Sequence, residues 1–178
     1  LIIDEALSPR QCDEIIRLAD RHLKRSHGIK EGAGGKETEV IAARTSDGMF
    51  FSAADAEAPP NVAMRTLAAR YAGVPVSHVE ATQVLRYRAG QVYRPHFDYF
   101  PEGSPFLEPG GQRLATAIFW LNDVDSGGET EFPDAAGAGA GDGAGGAGGL
   151  KLYPARGDAM LFYSTDRRGA VDPLSKHA

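Results

Sequence analysis

The chain has 178 residues, 42% of them hydrophobic, which suits one domain with a sizeable core. Its formal net charge of -5 offers no basic field for a phosphate backbone and so argues against nucleic acid as a partner. No apolar run approaches the roughly 20 residues that span a bilayer, and the single cysteine, Cys12, cannot close an intrachain disulfide, which leaves the redox compartment unread.

Leu1-Ile2-Ile3 runs at once into Asp4 and Glu5. Ser8-Pro9-Arg10-Gln11 predicts a helix start, with Ser8 as N-cap, Pro9 at the first helical position and Gln11 completing a capping box. Cys12, Ile15, Ile16, Ala19 and Leu23 follow at helical spacing, predicting an amphipathic helix to about Lys24 with Cys12 on its buried face. The polar, glycine-containing segment from Ser26 to Glu39 reads as a mobile loop. Met64, Leu67, Ala68 and Tyr71 predict a second helix, led in by Pro59-Pro60 and closed by Gly73 with Pro75 just beyond.

After Val76 the pattern changes to strands, expected over Thr82 to Tyr87, Gln91 to Tyr99, Leu114 to Leu121, Leu150 to Tyr153 and Ala159 to Tyr163. Gly127 and Gly128 predict a tight turn. Helices first and strands later argue for an α+β fold, an antiparallel sheet or barrel backed by N-terminal helices. The Ala/Gly-rich tract 135–149 predicts a disordered insertion between two strands. Its glycines precede no helix and no Lys-Ser or Lys-Thr pair follows, so it is no phosphate-binding loop.

The residues that carry chemistry begin with His96-Phe97-Asp98. On a strand, side chains alternate faces, so the imidazole and carboxylate point the same way. His177 is the only histidine far downstream, while His22, His27 and His78 fall in helix or loop contexts without a partner pattern. A His, Asp, His set on one face of an octahedron leaves three positions open, as oxygen activation by non-haem iron requires. Zinc accepts the same donors, but an oxygen and nitrogen facial set on a β-rich scaffold favours iron.

The surroundings sharpen this. Gln83-Val84-Leu85-Arg86-Tyr87, Gly90-Gln91-Val92-Tyr93 and Pro95-His96-Phe97-Asp98-Tyr99-Phe100 lead to Gln112-Arg113-Leu114-Ala115-Thr116, Leu121-Asn122-Asp123-Val124 and Gly127-Gly128-Glu129-Thr130-Glu131-Phe132-Pro133. Arg44-Thr45-Ser46-Asp47-Gly48-Met49-Phe50 lies upstream and Gly157-Asp158-Ala159-Met160-Leu161-Phe162 near the end. In order and spacing these segments resemble the prolyl 4-hydroxylase family of Fe(II)- and 2-oxoglutarate-dependent dioxygenases along nearly the whole chain.

The resemblance implies one dioxygenase domain over 1–178 with a double-stranded β-helix (jelly-roll) core. His96 and Asp98 match the first two iron ligands. His177, following Asp172-Pro173-Leu174-Ser175-Lys176, matches the third. Tyr87 and Thr130 match positions whose hydroxyls hold 2-oxoglutarate, although both residue types are also ordinary strand formers. Arg113 is expected to reach the peptide substrate or to serve as a solvated strand-end charge. Tyr93 and Tyr99 are expected to offer aromatic surface to the substrate, with the segments around Ser26 to Glu39 and Gly103 to Gly110 as lids.

The implied reaction hydroxylates peptidyl proline with O2 and 2-oxoglutarate and releases succinate and CO2, with Fe(II) and L-ascorbate as cofactors. The partner is then a proline-containing peptide or protein. The compartment implied is the secretory pathway, the endoplasmic reticulum in particular, with any membrane anchor belonging to a parent chain. A family lysine about ten positions past the distal histidine has no match before Ala178, so the chain is expected to be truncated at both ends. His177 is expected to be poorly held at its C-terminus. Alternatives are a related dioxygenase acting on another residue such as lysine, a non-catalytic peptide-binding barrel, and a zinc hydrolase.

Overall fold

The computed structural model describes residues 1–26, 28–29, 38–39, 43–52, 54–136, 149–153 and 155–178. A short strand β1 (Ile2–Ile3) precedes helix α1 (Pro9–Asp20). The capping box forms as expected: the Ser8 hydroxyl accepts from the Gln11 N–H, and the Gln11 side chain accepts from the Ser8 N–H. The helix ends earlier than its apolar spacing suggests. Lys24–Arg25 leaves it to form strand β2, and Leu23 reaches the same core from outside the helix.

Ser26, expected at the start of a mobile loop, is buried with its hydroxyl against that of Ser46 at 2.9 Å. Strands β3 (Gly28–Ile29) and β4 (Thr38–Glu39) pair within the same segment, and the rest of that expected loop lies outside the described residues. Strand β5 (Asp47–Phe50) pairs antiparallel with β2 on one side and with β6 (Gln83–Arg86) on the other. Between β5 and β6 runs helix α2 (Pro59–Ala72), stopped by Gly73, whose left-handed φ of 71° is the conformation a C-terminal glycine permits. Leu7, Cys12, Ile15, Met49, Met64 and Val84 form one buried cluster, so α1, α2 and the β5–β6 pair share a core. Cys12 is fully buried and free, as expected.

Beyond a short helix α3 (Leu107–Gly110), strand β7 (Ala115–Phe119) pairs antiparallel with β10 (Ala159–Tyr163), and β10 pairs with β1. The remaining pair is β8 (Thr130–Ala136) with β9 (Gly149–Leu152). Nothing in the sequence flags β8, because Glu131, Pro133, Asp134 and two alanines are poor strand formers. Pairing carries it instead: Glu131 faces Lys151 across the ladder, and the register breaks after Phe132, where Pro133 has no N–H to give. Gly127 and Gly128, with φ of 75° and 72°, make the turn that enters β8.

The Ala/Gly tract 135–149 is therefore shorter than expected. Ala135, Ala136 and Gly149 belong to strands, Ala136 pairs with Gly149, and residues 137–148 lie outside the described residues. The expected α+β class with antiparallel sheets and helices in the N-terminal half is what is observed. No helix among the described residues is long and apolar enough to cross a membrane.

Candidate metal centre

The stretch Gln91 to Tyr99 is not the regular strand its residues suggest. Among the described residues it makes two isolated bridges, Tyr93 to Arg44 and His96 to His177. Pro95 has no backbone donor, which breaks a continuous ladder just before the first site residue. Side chains still alternate: the Phe97 and Tyr99 rings meet at 4.7 Å, and His96 and Asp98 meet on the other side.

His177 arrives from the opposite end of the chain. Its N–H donates to the His96 carbonyl at 3.0 Å, and the His96 N–H donates back to the His177 carbonyl at 2.9 Å. The next residue, Ala178, exchanges both of its backbone bonds with Glu131 of β8. His177 is thus 5% exposed and held on both sides, which corrects the expectation of a loosely held ligand. Local chemistry helps deliver it, since Asp172 caps the turn Pro173–Ser175 by accepting from the Leu174 N–H.

Nε2 of His96 stands 3.5 Å from Oδ1 of Asp98, and Nε2 of His177 stands 3.7 Å from Oδ2. One ligand atom from each of the three residues can be chosen so that all lie within 4.8 Å of one another. Each imidazole has its Nδ1 at 3.0 Å from a backbone carbonyl, Arg94 for His96 and Ser175 for His177. A carbonyl only accepts, so Nδ1 carries the proton in the neutral ring and Nε2 presents its lone pair to the shared space.

Electrostatics prepare the same state. Burial works to raise the Asp98 carboxyl, but His96, His177 and the Thr116 hydroxyl outweigh it and bring it down to about 2. Burial, foremost, lowers the His177 imidazole, against the pull of Asp98. At neutral pH the site holds an anionic carboxylate beside a neutral His177 whose Nε2 is free of a proton, the forms in which these groups bind a cation. Two imidazole nitrogens and one carboxylate oxygen gathered in one place fit the donor set of a non-haem Fe(II) site.

The other expected residues gather around this centre to differing degrees. Tyr93 stacks on His96, with ring centroids 3.5 Å apart and planes 19° apart, and Arg44 lies over the Tyr93 ring at 4.8 Å. Burial pushes the Tyr93 phenol up, Arg44 pulls it back, and Asp98 and Tyr87 add to the rise, so Tyr87 belongs to the same neighbourhood. Thr130 is buried as the first residue of β8, beside the Glu131 that pairs with Ala178. Tyr99, expected beside the centre, instead packs on Phe97 on the side of the chain away from His96 and Asp98.

Arg113, just before β7, is part-exposed and its charge is paired. Its guanidinium grips both oxygens of Glu80 at 2.8 and 2.9 Å, donates to the Asp98 carbonyl at 3.3 Å and lies over the Phe100 ring at 4.6 Å. The 103–110 segment, expected as a lid, folds into α3 and stacks Phe106 on Phe100.

Three supporting residues carried no role in the sequence reading. Gln112 clamps Phe100 by accepting from its N–H at 2.7 Å and donating to its carbonyl at 2.8 Å. Thr116 donates its hydroxyl to Oδ2 of Asp98 at 2.6 Å. Phe162 meets the His177 ring nearly edge-on at 4.7 Å. Only Thr116 left a trace in the sequence, as the one hydroxyl within the apolar run Ala115–Phe119.

A family model described as the 2OG-Fe(II) oxygenase superfamily matches residues 82–178. Among curated relatives, probable prolyl 4-hydroxylase 10 of Arabidopsis thaliana is 37% identical over 177 residues, covering 96% of this chain and 60% of its own length. Prolyl 4-hydroxylase 1 of the same plant is 36% identical over 179 residues, covering 99% and 62%. The chain thus spans about 60% of the length of these relatives. Among solved structures, a viral collagen prolyl hydroxylase from Paramecium Bursaria Chlorella virus-1, in its 2OG complex, superposes with a TM-score of 0.67 at 22% identity, over 99% of this chain and 84% of its own. A Pseudomonas putida prolyl-4-hydroxylase gives 0.60 at 18% identity, over 99% and 82%. At those identities the likeness shows a shared fold.

Proposed function

We propose, from the premise that this chain belongs to the 2OG-Fe(II) oxygenase superfamily, that it is the core of a dioxygenase that hydroxylates peptidyl proline with O2 and 2-oxoglutarate. Succinate and CO2 are the co-products. The observation that carries this reading is the meeting of His96, Asp98 and His177 from distant parts of the chain, with their ligand atoms turned to one space. The finer architecture we infer is a double-stranded β-helix with the centre inside one end.

When bound, Fe(II) supplies the open coordination positions and the redox chemistry that couples decarboxylation of 2-oxoglutarate to hydroxylation of the substrate. The protein's share is binding, orientation and exclusion of water. His96, Asp98 and His177 hold the metal. Tyr87 and Thr130 offer hydroxyls to the 2-oxoglutarate carboxylate. Tyr93 and Arg113 meet the peptide, an extended proline-rich segment that loses little entropy on binding aromatic surface. Ascorbate serves as reductant for the iron, and the secretory pathway, the endoplasmic reticulum in particular, is the compartment of choice; both follow from the family resemblance.

The runner-up is a related dioxygenase acting on another residue. A peptide panel separates the two: the chain is incubated with Fe(II), 2-oxoglutarate and ascorbate against proline-rich peptides and matched peptides carrying lysine or alanine. The expected result is succinate release, with the gain of one oxygen, from the proline peptides alone. Turnover on lysine peptides favours the alternative, and peptide binding without succinate favours a non-catalytic barrel.

A further inference from the structure

We propose that Thr116 is a positioning residue for the metal: its hydroxyl, donated to Oδ2 of Asp98 at 2.6 Å, fixes the orientation in which that carboxylate joins the ligand set. The inference rests on the reading of His96, Asp98 and His177 as the metal centre and deepens it.

Among the described residues Asp98 sits in no strand ladder, since the backbone from Gln91 to Tyr99 bridges there at Tyr93 and His96. Its side chain needs an outside support, and β7 provides it. Thr116 is the cross-strand partner of Phe162 in the β7–β10 pair. Side chains of directly opposed residues project from the same face. One register therefore puts a hydroxyl on Asp98 and an aromatic edge on His177, supporting two of the three ligands from a single pair of strands. A one-residue slip of either strand turns that strand's support away and leaves the other without its partner.

The chemistry of the bond matters as much as its geometry. With Thr116 on Oδ2, which also stands 3.7 Å from Nε2 of His177, the carboxylate's other oxygen, Oδ1, faces Nε2 of His96 at 3.5 Å. An oxygen already holding a short hydrogen bond is a weaker second donor to a cation. The hydroxyl would thereby favour one-oxygen binding by Asp98.

Threonine is also a common strand residue, and if β-propensity or shape were its whole role, valine would serve equally well. Titration of Mn(II) into the chelator-stripped chain, followed by the electron-spin signal of free Mn(II), separates these roles for wild type, Thr116→Val and Thr116→Ser. The expected result is one site in wild type, about 10–100-fold weaker binding in Thr116→Val, and recovery close to wild type in Thr116→Ser, which keeps the hydroxyl and loses the methyl. Thr116→Val binding as tightly as wild type, or Thr116→Ser binding as weakly as Thr116→Val, overturns the positioning role while leaving the metal centre intact. A wild-type chain that binds no Mn(II) overturns the functional reading and this role with it.

Discussion

His96 and His177 donate their backbone N–H groups to each other's carbonyls at 2.9 and 3.0 Å, so two of the three ligand-bearing residues form a bridge of their own. This contact positions the ring of one histidine relative to the other before any metal is present. The rings lie 4.2 Å apart and tilted by 56°, and each is held at Nδ1 by a carbonyl two residues before it. Pre-aligned ligands cost less ordering entropy on metal binding than ligands gathered from mobile segments.

Arg113 tests the proposed contact with substrate. Its two bonds to Glu80 are partly exposed, and such a pair contributes under about 1 kcal/mol to stability. Lysine keeps the charge but lacks the planar fork that reaches Glu80 and the Asp98 carbonyl together. Arg113→Lys should therefore melt close to wild type yet lower kcat/KM for a proline peptide by about tenfold, the low end for hydrogen bonds to a charged group. Steady-state succinate formation alongside thermal denaturation checks both halves.

Gly157 is one of several links between the N-terminal region and the sheet. Its φ is 95°, and a Cβ there meets the Leu7 carbonyl oxygen at 2.5 Å, while its own carbonyl accepts from the Leu7 N–H at 2.9 Å. Gly157→Ala combines a left-handed backbone with a backbone clash and should cost about 2–3 kcal/mol. For a chain of this length that lowers Tm by roughly 5–10 °C, measurable by circular dichroism.

Acid should destabilise the metal-free chain in two stages. Burial lowers the His177 pKa below its ordinary 6.5, so unfolding takes up a proton there; stability is full above 6.5 and is lost as pH falls through the folded value. Asp98 is brought from 3.8 to about 2, so its contribution is present above 3.8 and lost as pH falls toward 2. Urea midpoints from pH 8 to pH 3 should decline below 6.5 in wild type, with a shallower decline in His177→Gln. An identical profile in the two proteins removes His177 as the source.

Much of this was legible because local chemistry leaves marks in sequence. Ser8, Pro9 and Gln11 announce α1, Gly73 ends α2, and His96-Phe97-Asp98 places two ligands on one side even without a regular strand. What stayed hidden depends on pairing at a distance. Strand β8 has a poor strand composition and exists because β9 and Ala178 lie beside it. His177 looked loose because its position near Ala178 says nothing of the partners at His96 and Glu131. The support from Thr116 and Phe162 depends on the β7–β10 register, which no local pattern encodes.

The central claim is that His96, Asp98 and His177 form one Fe(II) site that accepts 2-oxoglutarate. Its most direct test is an anaerobic titration of the stripped chain with Fe(II), followed by 2-oxoglutarate, with the visible absorption spectrum recorded for wild type and Asp98→Ala. The expected result is one Fe(II) bound per wild-type chain and a charge-transfer band that appears only when 2-oxoglutarate is added, with both lost in Asp98→Ala. A wild-type chain that takes up zinc at the same stoichiometry and shows no band with Fe(II) and 2-oxoglutarate, or an Asp98→Ala chain that keeps the band, contradicts it.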